Sequence, residues 1–589
     1  MIPGLLIAIL SLPPVKPQIE YRLTADPSTF IGVSVELRMG NVPAGLTLAA
    51  PAHPEYDDKY WRYLEGIEAR DGAGNPIGIT RRDSVLWQLA NAGGEVIVRY
   101  RVRFPQEQSP RAAWRAFLTS TGGLVGGPHS FLYPIGLERA PATLTVALPG
   151  SWTIATALQP TGRLSFTAPD LHTLMESPLQ VGMQSEWRFT ARGILHRVFY
   201  LRFPDTRPFD STAFVGGIER LANQALALFG SAPYSSYTFM FQDGAYGGLE
   251  HLSSVTLGAP SADLAANPHA LAQETAHEFF HTWNLMHIKP VEYRGLEYRT
   301  QPPVPSLWFS EGFTMFYADL LLRRGGVPAP QPTRIAHLEG VMARYWNSSG
   351  HARFSAEEIS RVAYNAGPGA LGDYSASPHA IGELIGTMLD LQIREATGGT
   401  RSMDDAMRLM NQRHGGKRFA SADVQRAVEE TCRCRADLFD RTVFAAGAID
   451  FDRYLGSLGL KATVTWETNT DPNGRPYPDL RLFAYQRPGE ASLRLVITDP
   501  RTTWGKAGLH SHDVLISFNE KPAGTWPELR AVLRGLTVGD TATVVVDQQG
   551  ARRTIKVPIT VQDRPVVRIV PSEVTPDKKR AYQAWSEGR

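Results

Sequence analysis

Apolar and polar residues alternate through the first third of the chain. "QIEYRLT", "FIGVSVELRM", "GGEVIVRYRVRF" and "ATLTVALPG" repeat with a period of two, and Gly, Pro and Asn punctuate the gaps. This period predicts half-buried strands, so residues 19–185 are expected to form a sandwich-like β domain. From residue 186 the pattern mixes. "ILHRVFYLRF" and "YTFMFQD" read as strands, and "STAFVGGIERLANQALALFG" reads as an amphipathic helix ending at Gly230. Helical periodicity then dominates. "NPHALAQETAHEFFHTWN" offers Asn267 as N-cap and Pro268 in the first helical position. "SEGFTMFYADLLLRRGG" stops at Gly325 and Gly326, and "PHAIGELIGTMLDLQIREATGG" supplies another helix. Residues 186–460 are therefore expected to be one mixed, mainly helical domain.

Beyond it, "NTDPNGRPYPDL" predicts a polar linker over 461–479, a small β-rich unit spans 480–563, and 564–589 reads as a mobile polar tail. The expected fold class is multidomain α+β. Its length of 589 residues agrees, being too long for a single domain.

Composition adds mostly exclusions. A formal net charge of +2 and the lack of a sustained Lys/Arg run give no electrostatic footprint for nucleic acid. The apolar run in "MIPGLLIAILSLPPVKPQ", residues 1–18, is too short to span a bilayer, and no other segment reads as a transmembrane anchor. It resembles the apolar region of an export signal, without the preceding positive charge or a following A-x-A site. Export to a periplasmic or extracellular location is the expectation over a cytoplasmic one. The two cysteines, Cys432 and Cys434, are expected to be free thiols, because a bridge between residues two apart is strained.

The chemistry sits in "HEFFH", His277 to His281. Residues i and i+4 share a helix face, so the two imidazoles can ligate one Zn²⁺. Glu278 lies about 100° around the helix, better placed for a water than for the metal. A zinc site needs a third protein ligand. Glu311, in "LWFSEGFTMFYADLLLRR", is a carboxylate among apolar residues, and a carboxylate buried alone is costly; a cation at the histidine pair would offset it. A first-turn glutamate favoured by the helix dipole is the plainer alternative. Asn284 and Asp319 are candidates to orient a ligand, or equally a cap and a surface residue.

"HEFFHTWN" followed by "LWFSEGFT" resembles the gluzincin metallopeptidases, specifically the glycyl aminopeptidase family. "SWTIATAL", "LMESPLQVG" and "LDLQIR" look like its recurrent blocks. The resemblance implies an N-terminal β domain, a thermolysin-like catalytic domain and a C-terminal PDZ-like module, in that order. It further implies one Zn²⁺ held by His277, His281 and Glu311. The metal would polarise the scissile carbonyl, while Glu278 moves a proton from water to the leaving amine. "GGLEH" is similar to the family's substrate-edge motif. Glu250 would then pair with the substrate's free α-amine, with Gly247 and Gly248 lying along the peptide. The bland reading of the same stretch is a glycine turn with a solvated Glu250.

One departure stands out. Where related enzymes carry a tyrosine to hydrogen-bond the oxyanion, "DYSASPHAIGELIG" places His379. Three readings follow: His379 itself donates, Tyr374 donates, or the donor is lost. In the C-terminal unit, Ala507, Gly508, Leu509, Asp513 and Asn519 match the PDZ block, but His512 and Glu520 replace glycines. It therefore either binds a peptide C-terminus or strand or serves as a docked structural domain. Three functions follow: a zinc aminopeptidase releasing small N-terminal residues (Gly or Ala) from peptides with a free N-terminus, an endopeptidase on the same scaffold, and a peptide-binding scaffold with vestigial catalysis.

Overall fold

A computed structural model describes residues 18–25, 29–51, 60–90, 92–105, 111–293, 302–364, 367–487 and 489–589. The expected export segment lies outside the described residues, apart from its last position. Among the described residues no helix is long and apolar enough to cross a membrane.

The alternating N-terminal segments form an eight-stranded sheet centred on Gln18–Ala25, Gly32–Val42 and Gly94–Arg103. Along the first of these, Ile19, Tyr21, Leu23 and Ala25 are buried while Gln18, Glu20 and Arg22 are exposed, as period two requires. These residues share one core with Leu48, Trp87, Leu89 and Tyr133 of a four-stranded sheet. A short strand, β1 (Arg111–Ala112), leaves this domain to pair elsewhere.

The catalytic domain is built on a five-stranded sheet of β2 (Gln184–Ala191), β3 (Ile194–Leu201), β4 (Ser236–Gln242), β6 (Gly248–Glu250) and β7 (Ser254–Gly258), in the order β2–β3–β4–β7–β6. The two-residue strand β5 (Ala245–Tyr246) pairs with β1 of the N-terminal domain instead. Helices α1 (Ser211–Phe229), α2 (Ala272–Phe280), α3 (Gly312–Arg324), α4 (Arg334–Asn347), α5 (Ala356–Arg361) and α6 (Pro378–Ala396) pack with it, and the helices Met403–His414 and Ser421–Cys432 join the same core. α1 ends at Gly230 in the left-handed region, as expected. α2 begins later than its sequence suggests. Asn267 closes a preceding short helix, and its side chain accepts from the His269 N–H in a turn; Asn267 is therefore not the N-cap of α2.

The C-terminal third corrects two expectations. Within the expected linker lies β8 (Leu460–Thr468), and within the expected tail lie β14 (Asp563–Pro571) and α8 (Pro576–Ser586). β8 and β14 pair antiparallel along their full lengths. Val567 and Ile569 join the catalytic core, with Ala462 and Val464 packed against it. Trp585 of α8 is fully buried beneath the Arg334 guanidinium at 4.3 Å. These segments look polar because only one face of a two-stranded ribbon is covered. Between β8 and β14 sits the small domain, with β9 (Leu482–Gln486), β10 (Leu493–Ile497), β11 (Val514–Phe518), β12 (Thr541–Gln548), β13 (Ala551–Pro558) and helix α7 (Trp526–Leu533). It has a core of its own around Trp504 and Phe518, consistent with a PDZ-like fold carried on a two-stranded stem.

The cysteine expectation also fails: Cys432 and Cys434 are bonded to each other. Arg433 between them has φ 55°, which turns the chain at a helix end and brings the two Cα atoms within 5.1 Å. The left-handed turn supplies the approach that an extended tripeptide would not.

Candidate active site

α2 presents His277 and His281 on one face, as the i, i+4 spacing dictates. Their Nε2 atoms are 3.0 Å apart. Glu311 lies at the junction of the helical turn Leu307–Ser310 with α3. Its Oε2 stands 3.5 Å from His277 Nε2 and 3.3 Å from His281 Nε2. Tetrahedral ligands about 2.1 Å from a zinc ion stand about 3.4 Å from one another, so this triangle fits the ion. The three side chains are among those whose ligand atoms converge.

The surroundings fix the ring that matters. His281 Nδ1 lies 3.0 Å from the Asn284 carbonyl, which can only accept; Nδ1 therefore carries the proton and Nε2 keeps its lone pair for the metal. The Asn284 amide donates to the carbonyls of Phe309 and Ser310 and to Thr314 Oγ1. It thereby ties the end of α2 to the turn that carries Glu311. Asp319 has no such part: it holds Arg323 at 2.8–2.9 Å.

Electrostatics point the same way. Burial pulls His277 down to about 4 and pushes Glu278 up to about 8. Burial alone would lower His281 too, but Glu311 and Glu250 beside it carry it to about 10. Burial opposes ionisation of Glu311, yet His281 and His379 hold it well below the carboxylate range. Glu250, Glu278 and Glu311 all crowd around His281, and a divalent cation at the convergence point offsets that buried negative charge. The His277–His281–Glu311 cluster is a mononuclear zinc-binding site.

The other expected residues fall on two sides of it. β6 is the edge strand of its sheet. Leu249 points into the core of the N-terminal domain; period two therefore turns Gly248 and Glu250 the other way. The carboxylates of Glu250 and Glu278 and a ring nitrogen of His281 lie within 4.8 Å of one another. A Cβ on Gly248 would come within 2.5 Å of Glu278 Cγ, so only glycine lets this strand lie against Glu278. Gly247, before it, sits under the Trp114 ring of the N-terminal domain.

On the opposite side, His379 opens α6 and its Nε2 is 3.1 Å from Glu311 Oε2. Its ring lies 5.9 Å from that of His277. Helix packing sets this position: a Cβ on Gly382 would fall 1.8 Å from the Trp308 carbonyl oxygen, and one on Gly312 would fall 2.2 Å from Gly382 Cα. The paired glycines let α3 and α6 touch, bringing His379 to the metal side. Tyr374 packs against Phe354 and under Arg353. A cavity of about 850 Å³ leads away from His277, Glu278 and His379 toward Glu274, Arg344 and Glu383.

Two neighbours have no signal in the sequence. The Tyr364 hydroxyl donates to Glu311 Oε1 at 2.6 Å, and Trp114 covers Gly247. Neither belongs to a spaced motif; each reaches the site through a fold contact between distant segments.

A family profile of the Peptidase M61 N-terminal domain matches residues 24–183, and one described as M61 glycyl aminopeptidase matches residues 270–376. The second contains the whole zinc cluster. The chain carries both domains of the M61 glycyl aminopeptidase family. This M61 chain is an enzyme, a zinc metallopeptidase. Among solved structures it is similar to an aminopeptidase N family protein from Idiomarina loihiensis, at 21% identity and TM-score 0.75, covering 96% of this chain and 100% of that one. The agreement extends the shared fold across the C-terminal third. A zinc metallopeptidase of the M1 family from Deinococcus radiodurans, solved with a Tyr-Ser-Ala substrate, matches at 15% identity and TM-score 0.45, over 71% of this chain and 92% of that one. No curated protein sequence matches.

Proposed function

We propose that this M61 enzyme is an aminopeptidase that releases small N-terminal residues from peptides, with Glu250 as the anchor for the substrate's α-amine. The observation that carries this reading is the position of Glu250. It is buried on an edge strand, beside Glu278 and His281, where a substrate ammonium would neutralise it. The free side of β6 can take the substrate backbone as an added strand. Trp114 of the N-terminal domain covers Gly247 at the start of this strand, a position from which it would limit the space for a chain preceding the cleaved residue. An endopeptidase would need that end open.

Zinc at the cluster supplies the Lewis acidity that polarises a scissile carbonyl and acidifies water. Glu278 accepts a proton from the attacking water and passes it to the leaving amine. His379 is the better placed of the two candidate oxyanion donors, since its Nε2 faces the metal ligands whereas Tyr374 is engaged with Phe354 and Arg353. The cavity on the His379 side receives the rest of the peptide.

The deciding experiment compares hydrolysis of Gly-, Ala- and Leu-anilides with their N-acetylated analogues, with and without a chelator. Hydrolysis confined to free amines, fastest for Gly or Ala and lost on chelation, is expected. Equal cleavage of blocked substrates would remove Glu250 from its role and favour the endopeptidase. Vestigial catalysis would show as no turnover with zinc bound.

A second, weaker site is proposed on the PDZ-like domain. β9 is an open sheet edge, and Phe483 on it is 46% exposed with its ring 6.0 Å from Trp526 of α7. An extended peptide could add there; saturable binding of a labelled C-terminal peptide, lost in Phe483→Ser, tests it. Export is likewise proposed, and N-terminal sequencing of the mature protein in the periplasm or medium tests it.

A further inference from the structure

The connection from α5 to α6 runs from Val362 to Ser377 and carries Gly367, Pro368, Gly369 and Gly372. A long connection rich in glycine is costly to hold in one conformation. Yet Tyr364 within it and His379 just after it both reach the metal site: Tyr364 holds Glu311 Oε1 and His379 faces Glu311 Oε2. Its described residues 367–377 are held from two sides, and one of these is the PDZ-like domain. Asp373 Oδ1 accepts the Ser511 backbone N–H at 2.6 Å, and Asp373 Oδ2 is 2.8 Å from His510 Nδ1. Two residues on, the Ser375 N–H donates to the Thr498 carbonyl at 2.9 Å. A Cβ on Gly369 would come within 3.1 Å of the His512 ring.

The catalytic domain grips the same stretch from behind. The Ser375 carbonyl accepts from Gly350 N–H at 3.1 Å and from Ser348 Oγ, and the Ser377 N–H donates to His351 Nε2 at 3.0 Å. The peptide at Ser375 is thus clamped between two domains immediately before α6 begins.

We infer that the PDZ-like domain is a brace for the catalytic loop, and that Asp373 is the positioning residue through which its docking sets the grip of Tyr364 on Glu311. The inference needs only metallopeptidase activity, whichever end of the substrate is cut. Asp373 touches neither metal ligand nor substrate; it acts by restricting the loop. His510 and His512 occur in the turn where the PDZ pattern departs from glycine, so the altered turn acquires a use: it presents the surface that meets the loop.

The test uses the full-length zinc enzyme. Asp373→Ala is expected to lower kcat about tenfold, the range seen when groups that orient a ligand are lost, with KM within about twofold and zinc content unchanged. Tyr364→Phe is expected to do the same. The double variant should be no slower than the slower single one, because both remove one coupled interaction. Amide exchange over residues 362–377 should accelerate in Asp373→Ala while α2 is unaffected. Asp373→Asn keeps an acceptor for Ser511 and should restore part of the rate. If Asp373→Ala misfolds or loses zinc, His510→Ala carries the same test, since His510 is largely exposed; a loss of about twofold to threefold in kcat alone, absent in a Tyr364→Phe background, is expected. Wild-type kcat in these variants, or effects that multiply in the double, overturns the inference.

Discussion

Two β domains flank the catalytic domain, and they are attached in opposite ways. The N-terminal one is fused to it. β1 pairs with β5, the Gln242 side chain exchanges hydrogen bonds with the Ala113 carbonyl and Arg111, and Leu249 of the substrate-edge strand sits inside the N-terminal core. Glu176 lies buried 3.7 Å from His251, one residue after the proposed amine anchor. The PDZ-like domain stands on a two-stranded stem and meets the catalytic loop through a few polar contacts, some of them exposed. A buried, apolar junction makes a rigid wall; a small polar one makes a joint whose strength can be tuned. The Glu250 end of the cleft is thus built as a wall, and the His379 end as a braced loop.

Experiments can break or sharpen that contrast. The largest effect belongs to neither flank. Glu278→Gln should reduce kcat about 10³-fold with zinc retained, and rates of even a tenth of wild type would displace Glu278 as the proton carrier. On the braced side, His379→Ala should cost about 10²-fold or more in kcat, whereas Tyr374→Phe should leave it within about twofold. The reverse ranking would move the oxyanion donor to Tyr374. On the walled side, Glu250→Gln should lower kcat/KM for free-amine anilides about 10²-fold, the scale for unpairing a buried charge, without improving the blocked analogues. A uniform loss on both would mean that Glu250 supports the fold and not the amine. Smallest in turnover is Trp585→Ala in the C-terminal clasp. It should leave kcat unchanged at low temperature while destabilising the protein by about 3–5 kcal/mol, read as a fall in Tm. A matching loss of kcat would show that the clasp reaches the site.

The zinc site was readable because its main signal is local. A helix converts the spacing of His277, Glu278 and His281 directly into geometry, and Glu311 stood out as a carboxylate among apolar neighbours. The edge strand at Gly247, Gly248 and Glu250 was readable by resemblance, and its period of two places Glu250 opposite Leu249. Of the two residues expected to orient a ligand, Asn284 ties the end of α2 to the turn that carries Glu311, whereas Asp319 belongs to Arg323. The C-terminal third misled. β8 and β14 bury only one face of a ribbon, so their hydrophobic signal is half that of a core strand. The linker-like and tail-like segments are long-range partners, and pairing of that kind leaves no local mark. The disulfide was missed for a related reason, because spacing argued against it and a left-handed residue at a helix end made it possible.

The sequence by itself determined the histidine pair with its glutamate, the general order of the domains and the existence of helices to carry the chemistry, since each follows from periodicity or spacing within a few turns of chain; Glu311, farther along, entered through its apolar surroundings and the family resemblance. Only the tertiary structure decided which residues surround that chemistry. Tyr364 reaches Glu311, Trp114 covers Gly247 and Asp373 meets Ser511 across separations that no local pattern records, because such contacts arise when separately folded surfaces are packed together.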